Sequence, residues 1–144
     1  MQLQKEPGHW SAFWLYNDSV QKVGGEGRDG TEIDIYEKPW LDVRVQQTLH
    51  WDGYGEHHKS EGFVPEIPGV MEGFHTFGLM WTKDEYVFYV DGNETWRTSA
   101  GGVCQVPLYI KLSDEIGDWA GDIETAKLPD SFLVDYVRVY NLVQ

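Results

Sequence analysis

The run Glu32-Ile33-Asp34-Ile35-Tyr36-Glu37 constrains this chain more than any other stretch, because three carboxylates interrupt an otherwise apolar, β-prone segment. In a β-strand alternate side chains point to alternate faces, so Glu32 and Asp34 share one face. Glu37 lies an odd number of positions after Glu32 and would point the other way in a regular strand. One extra residue at Ile35-Tyr36, a β-bulge, restores the parity and gathers all three acids on one surface. The outer Cα atoms then stand roughly 13 Å apart. Two Glu side chains leaning together narrow the carboxyl separation to roughly 5–6 Å.

That separation suits a double displacement at an acetal carbon. One carboxylate attacks while a second, protonated carboxyl donates to the leaving oxygen and later deprotonates water. A third acid between them can hold the attacking group through a shared proton and raise the proton affinity of its neighbours. An edge strand whose acids face water and discourage aggregation would carry the same pattern, and the spacing alone does not separate the two.

The chain has 144 residues and reads as one domain, 1–144, long enough for a real core. Aromatic residues make up 15%, which suits strands and leaves rings over for a sugar-binding face. A net charge of -13 argues against nucleic acid and anionic membranes as partners, since both need basic patches. It disfavours a sulfated polysaccharide for the same reason, whereas a neutral glucan is not repelled. Cys104 is the only cysteine, so no intramolecular disulfide forms. No run is apolar enough to cross a membrane, and no signal-peptide pattern stands at the first residue.

The punctuation is all-β. Apolar and aromatic runs recur at 9–16, 31–37, 43–51, 73–82, 85–91, 94–98, 106–113 and 131–140, mostly separated by Gly, Asp, Asn or Pro. Lys83-Asp84 and Asp91-Gly92-Asn93 read as hairpin turns that make 73–98 a three-stranded meander. Residues 24–30 are too glycine-rich for helix or strand and form a loop before the acidic strand, and residues 52–73 are the longest irregular piece. Strands at this spacing predict a sandwich of two antiparallel sheets. Gln2 to Lys5 read as the end of a strand whose partners are absent, so the sandwich is expected to be shortened at its N-terminal side, either as a fragment or as a shortened chain. Bare sheet edges would then favour a homodimer.

Several motifs carry a family likeness. Gly8-His9-Trp10-Ser11-Ala12-Phe13-Trp14-Leu15 resembles the G-x-W-P-A-F-W-L strand of glycoside hydrolase family 16, and Glu32–Glu37 resembles that family's bulged E-x-D-x-x-E strand, found in laminarinases, agarases and carrageenases. Thr48-Leu49-His50-Trp51 is similar to the next strand. Phe74-His75-Thr76-Phe77-Gly78 through Trp81, with Tyr89-Val90-Asp91-Gly92, is similar to the family's meander. Leu128-Pro129 and Val134-Asp135-Tyr136-Val137-Arg138-Val139-Tyr140 resemble its C-terminal strand. The matches run in family order along nearly the whole chain, although family members carry further N-terminal strands.

The resemblance implies a concanavalin-like β-jelly roll with a glycan cleft on its concave sheet. It implies endo-acting, retaining hydrolysis of β-1,3 or β-1,4 linkages in a neutral β-glucan such as laminarin or a mixed-linkage glucan, by a secreted or periplasmic protein. By position, Glu32 would be the nucleophile, Glu37 the general acid/base and Asp34 the assisting acid. Trp10 would be a stacking platform, and His50 would lie near the acid/base. Trp14 shares the Trp10 face, while Glu115 and Trp119 would bind sugar on the leaving-group side. Asp135 matches a position that often helps bind a structural calcium, and no cofactor is otherwise required. His57-His58, with Asp52, Glu56 and Glu61, reads as a solvated loop rather than a zinc site. A non-catalytic glycan-binding module on the same sandwich is the alternative to an enzyme, and assembly through bare edges is a third reading.

Overall fold

The computed structural model describes residues 1–142. Eight strands form among them: β1 (His9–Tyr16), β2 (Glu32–Lys38), β3 (Gln46–Trp51), β4 (Lys59–Phe63), β5 (Phe77–Trp81), β6 (Tyr86–Val90), β7 (Asn93–Thr98) and β8 (Tyr109–Ile116). Two antiparallel sheets result, one ordered β4-β3-β2-β1-β8 and the other β5-β6-β7. This is the all-β sandwich expected, and β5 to β7 are the expected meander. The β6–β7 turn needs left-handed backbone at both central residues, and Asp91 and Gly92 supply it with φ of 51 and 76.

The bulge is present where the acids demand it. Along β1, Phe13 pairs with Tyr36 and Trp14 with Asp34, so Ile35 is skipped. Along β3, Thr48 pairs with Asp34 and Gln46 with Glu37, so two residues of β2 oppose Gln47 alone. Ile35 and Tyr36 therefore both turn into the core, although they are adjacent in sequence, and both are fully or almost fully buried. Glu32, Asp34 and Glu37 are left together on the other face.

The core lies between the sheets in two clusters. Phe13, Ile35, Tyr36, Val45, Phe77 and Val90 meet in one, and Ile33, Leu49, Trp51, Tyr86 and Phe88 in the other. The Tyr36 ring lies on Phe77 with centroids 4.1 Å apart, and its hydroxyl reaches Ser11 Oγ at 3.3 Å. Ser11 in turn donates to Gln4 Oε1 at 2.6 Å, and Gln4 Nε2 donates to the carbonyls of His9 and Lys38. This buried polar chain ties the N-terminal segment to β1 and β2, and with every member partnered it is stabilising rather than costly.

Two expectations change. Lys59–Phe63, inside the segment read as irregular, is the edge strand β4, and all five of its residues are exposed. It is held by its ladder to β3 rather than by burial, so no apolar alternation marks it. Residues 131–140, read as a strand, form no strand. They make a single bridge, Gln2 to Leu133, because no neighbouring strand supplies the rest of a ladder. Val139 and Tyr140 consequently stand 78% and 77% exposed, and Tyr109, Ile110, Leu112 and Ile116 are exposed along β8, an edge strand. A self-association of the kind expected from the sequence would use these surfaces.

The bulge should be visible in stability. Tyr36→Ala removes a buried ring from the bulged pair and should cost about 3–5 kcal/mol in urea unfolding. Tyr36→Phe, which loses only the hydroxyl, should cost about 1 kcal/mol. Equal losses in the two variants would mean that packing of the bulge is not what the ring provides.

Candidate active site

One face of the five-stranded sheet carries a groove of about 170 Å³ lined by Trp10, Ala12, Trp14, Glu32, Asp34, Glu37, Ser113 and Glu115. The lining follows from strand parity. Trp10, Ala12 and Trp14 alternate along β1, Ser113 and Glu115 along β8, and the bulge brings Glu37 onto the side of Glu32 and Asp34.

Asp34 is 3% exposed, and its Oδ2 accepts no hydrogen bond among the described residues. Burial, and then the neighbouring Glu32 charge, pushes its carboxyl well above the ordinary range. Burial is also the main cause at Glu37, followed by the Asp34 charge, and its carboxyl is pushed up to about 8. The His50 ring and the Trp10 indole pull the other way without cancelling it. At neutral pH Glu37 thus keeps its proton, and burial biases Asp34 in the same direction, the kind of environment that lets neighbouring carboxyls take different roles.

His50 sits one strand over, paired with Glu32 in the ladder, and its Nε2 lies 3.3 Å from Asp34 Oδ2. Its Nδ1 is 2.9 Å from His58 Nε2, and the two rings stack with centroids 5.0 Å apart. His58, itself exposed on the loop, thus rests on a ring that stands beside the acids. Glu32, Asp34 and His50 present ligand atoms within 4.8 Å of one another, so these three could hold a metal ion, though only by occupying the oxygens of the groove.

The aromatic positions divide. The Trp10 ring is half-buried and meets Trp119 edge-on at 5.5 Å, and Trp119 meets Trp40 at 6.1 Å. Trp119 is exposed and lies beyond the acids, extending the groove rather than lining it. Its turn is tied to the start of β1, where Gly8 donates to the Ala120 carbonyl at 2.8 Å. Gly8 has φ of 85, and a Cβ there would come within 2.2 Å of the Ile123 backbone. Trp14 lines the groove, but Lys111 Nζ sits 3.8 Å from its ring centroid and its indole donates to Ser113 Oγ at 3.1 Å. A covered ring face offers less to a sugar than Trp10 does.

Asp135 is elsewhere, beside His75, Tyr136 and Arg138 in a separate cavity of about 340 Å³. It joins no cluster of three ligating side chains among the described residues. A calcium ion wants six to eight oxygens, so one carboxylate does not make its cage.

Sequence reasoning missed Tyr54 and Trp40. The Tyr54 hydroxyl donates to Glu32 Oε2, and burial, that bond and the Glu32 charge together raise the phenol far above its usual range. An aromatic residue between Gly53 and Gly55, and a tryptophan directly after Lys38-Pro39, are the signals that were available.

Known proteins share this arrangement of strands. The chain is 29% identical over 141 residues to the endo-1,3-1,4-beta-glycanase EglC of Rhizobium meliloti, an alignment covering 95% of this chain and 28% of that protein. It is 29% identical over 143 residues to a keratan-sulfate endo-1,4-beta-galactosidase of Sphingobacterium multivorum, covering 94% of this chain and 34% of the relative. The laminarinase catalytic domain from Thermotoga maritima superposes with a TM-score of 0.66 at 31% identity, covering 90% of this chain and 56% of that domain. The chain thus spans about a third or less of these two relatives and little more than half of the solved domain. The profile of glycosyl hydrolases family 16 matches residues 1–138, and the chain belongs to that family.

Proposed function

We propose that the chain carries the catalytic groove of a retaining, endo-acting β-glucanase that cleaves β-1,3 or β-1,4 linkages in a neutral glucan, outside the cytoplasm where the polymer is met. The observation that carries this reading is the bulge. It brings Glu32, Asp34 and Glu37 to one groove, with Glu37 held protonated up to about pH 8.

In this reading Glu37 donates its proton to the glycosidic oxygen as the Glu32 carboxylate attacks the anomeric carbon, giving a glycosyl ester. Forming the ester removes the Glu32 charge, one of the causes that raises Glu37. Glu37 is then left ionised after giving up its proton and is available as the base that deprotonates the incoming water, and collapse of the ester returns the Glu32 carboxylate. Burial biases Asp34 toward its protonated form, which lessens the repulsion between it and the attacking carboxylate. Trp10 offers its ring to the apolar face of a pyranose, and Trp119 and Trp40 extend that platform. Glu115 lies on the β8 side of the groove and is placed to accept hydrogen bonds from sugar hydroxyls.

Likeness to an enzyme named for keratan sulfate raises a sulfated substrate as a second reading. The net charge of -13 favours the neutral one.

Reducing-sugar release from laminarin and lichenan is the direct test. Glu32→Ser should lower it by at least about a thousandfold while leaving urea stability close to wild type. Glu37→Ala should lose activity on natural glucans but, with azide present, cleave substrates bearing good leaving groups to a β-configured glycosyl azide. Wild-type-like turnover in Glu32→Ser would end the assignment.

The acid limits activity on the alkaline side. A group pushed up to about 8 is protonated below that pH, so kcat/KM should fall as pH rises through about 8. Glu37→Ala assayed with an activated substrate should lose that alkaline limb, and a limb that persists unchanged would place the ionisation on another group.

A further inference from the structure

The loop between β3 and β4 is anchored in a way that its sequence does not advertise. Asp52 and Gly53 both take left-handed backbone, with φ of 61 and 77. The Asp52 carboxylate is buried, pairs with Lys59 Nζ at 2.7 Å and accepts the Gly24 N–H at 3.1 Å. Gly53 N–H donates to the Val20 carbonyl at 2.7 Å, and His58 N–H donates to the Gly55 carbonyl at 3.0 Å. Both ends of the loop are fixed, one to residues 20–24 and the other to the first residue of β4.

What this framework presents is Tyr54. Its ring leans on His58 and His50, with centroids 5.8 and 6.4 Å away, and its hydroxyl donates to Glu32 Oε2. Glu32 Oε1 accepts no hydrogen bond among the described residues. A glutamate carboxylate turns easily about its last torsion, which has a broad, roughly two-fold profile. An attacking oxygen must nevertheless sit within about 3–3.5 Å of the carbon and in line with the leaving bond.

We propose that Tyr54 is a positioning residue for this hydrolysis, its hydroxyl holding Oε2 of Glu32 so that Oε1 is the oxygen that attacks. The inference rests on Glu32 being the nucleophile. The step balances without a proton from Tyr54. Oε1 forms the bond to the anomeric carbon, the bonding pair leaves with the glycosidic oxygen, and that oxygen takes the proton of Glu37. Oε2 becomes the carbonyl oxygen of the ester and goes on accepting from the phenol. Burial, the largest cause, keeps the phenol protonated with or without the Glu32 charge, so it donates in both states.

Tyr54→Phe deletes the hydroxyl and keeps the ring, so any stacking on sugar survives. With an aryl β-laminaribioside, kcat should fall on the order of tenfold and KM should stay within about twofold. A second readout needs no turnover. With tyrosines labelled at Cζ and the Tyr54 signal assigned by its loss in Tyr54→Phe, the wild-type phenol should stay protonated past about pH 11, and in Glu32→Gln, which removes the carboxylate charge but leaves the ring buried, it should titrate at lower pH than in the wild type. A higher KM with unchanged kcat would make Tyr54 a sugar contact instead, and a phenol titrating alike in both proteins would mean the bond to Glu32 is absent. A wild-type chain inert on every glucan would overturn the hydrolytic reading and with it this role, while the titration would still report whether the contact exists.

Discussion

Everything in this groove depends on one irregularity in backbone pairing, the extra residue that β2 accommodates between Asp34 and Glu37. Without it, strand alternation would send Glu37 toward the core and bring either Ile35 or Tyr36 into water. The bulge is held because both apolar residues gain burial from it, Tyr36 against Phe77 and Ile35 in the same cluster. Packing on one face of the sheet thus fixes chemistry on the other. The polar chain from Tyr36 through Ser11 and Gln4 to the Lys38 carbonyl braces both flanks of the bulge.

Placing three carboxyl groups together has an electrostatic cost that determines how they can act. Removal from water disfavours charge on Asp34 and Glu37, and each charge nearby disfavours the next. The cluster responds by keeping protons. That is the state a general acid requires, and it is what the proposed role of Glu37 draws on. Residues around the cluster then sort by what they can offer: Tyr54 a donor to Glu32, His50 a ring beside Asp34, and Trp10 an apolar surface.

Much of this was legible from the chain because it rests on local pattern. The acid spacing with its Ile35-Tyr36 doublet announced the bulge, and Asp91-Gly92 announced the tight turn of the meander. The parity of Trp10, Trp14 and His50 placed their side chains on the groove face. What escaped depends on neighbours distant in sequence. β4 has no buried residue, so no hydrophobic period reveals it. Residues 131–140 have a convincing strand composition, yet a strand requires a partner and only Leu133 bridges one. Lys111 covers Trp14 because β8 happens to pair Lys111 opposite it, which no local rule foretells. Tyr54 reaches Glu32 from a loop held by Asp52 contacts to Lys59 and Gly24, residues outside the acids' own strand pattern.

The central claim is that Glu32 is the carboxylate the bulge leaves poised to attack. A 2-deoxy-2-fluoro β-glucosyl donor with a good leaving group would slow breakdown of the ester enough to trap it. Intact-mass measurement followed by peptide mapping should find one glycosyl adduct per chain, on Glu32. An adduct on Asp34 or Glu37, or no adduct from a chain that hydrolyses glucan, would contradict the account.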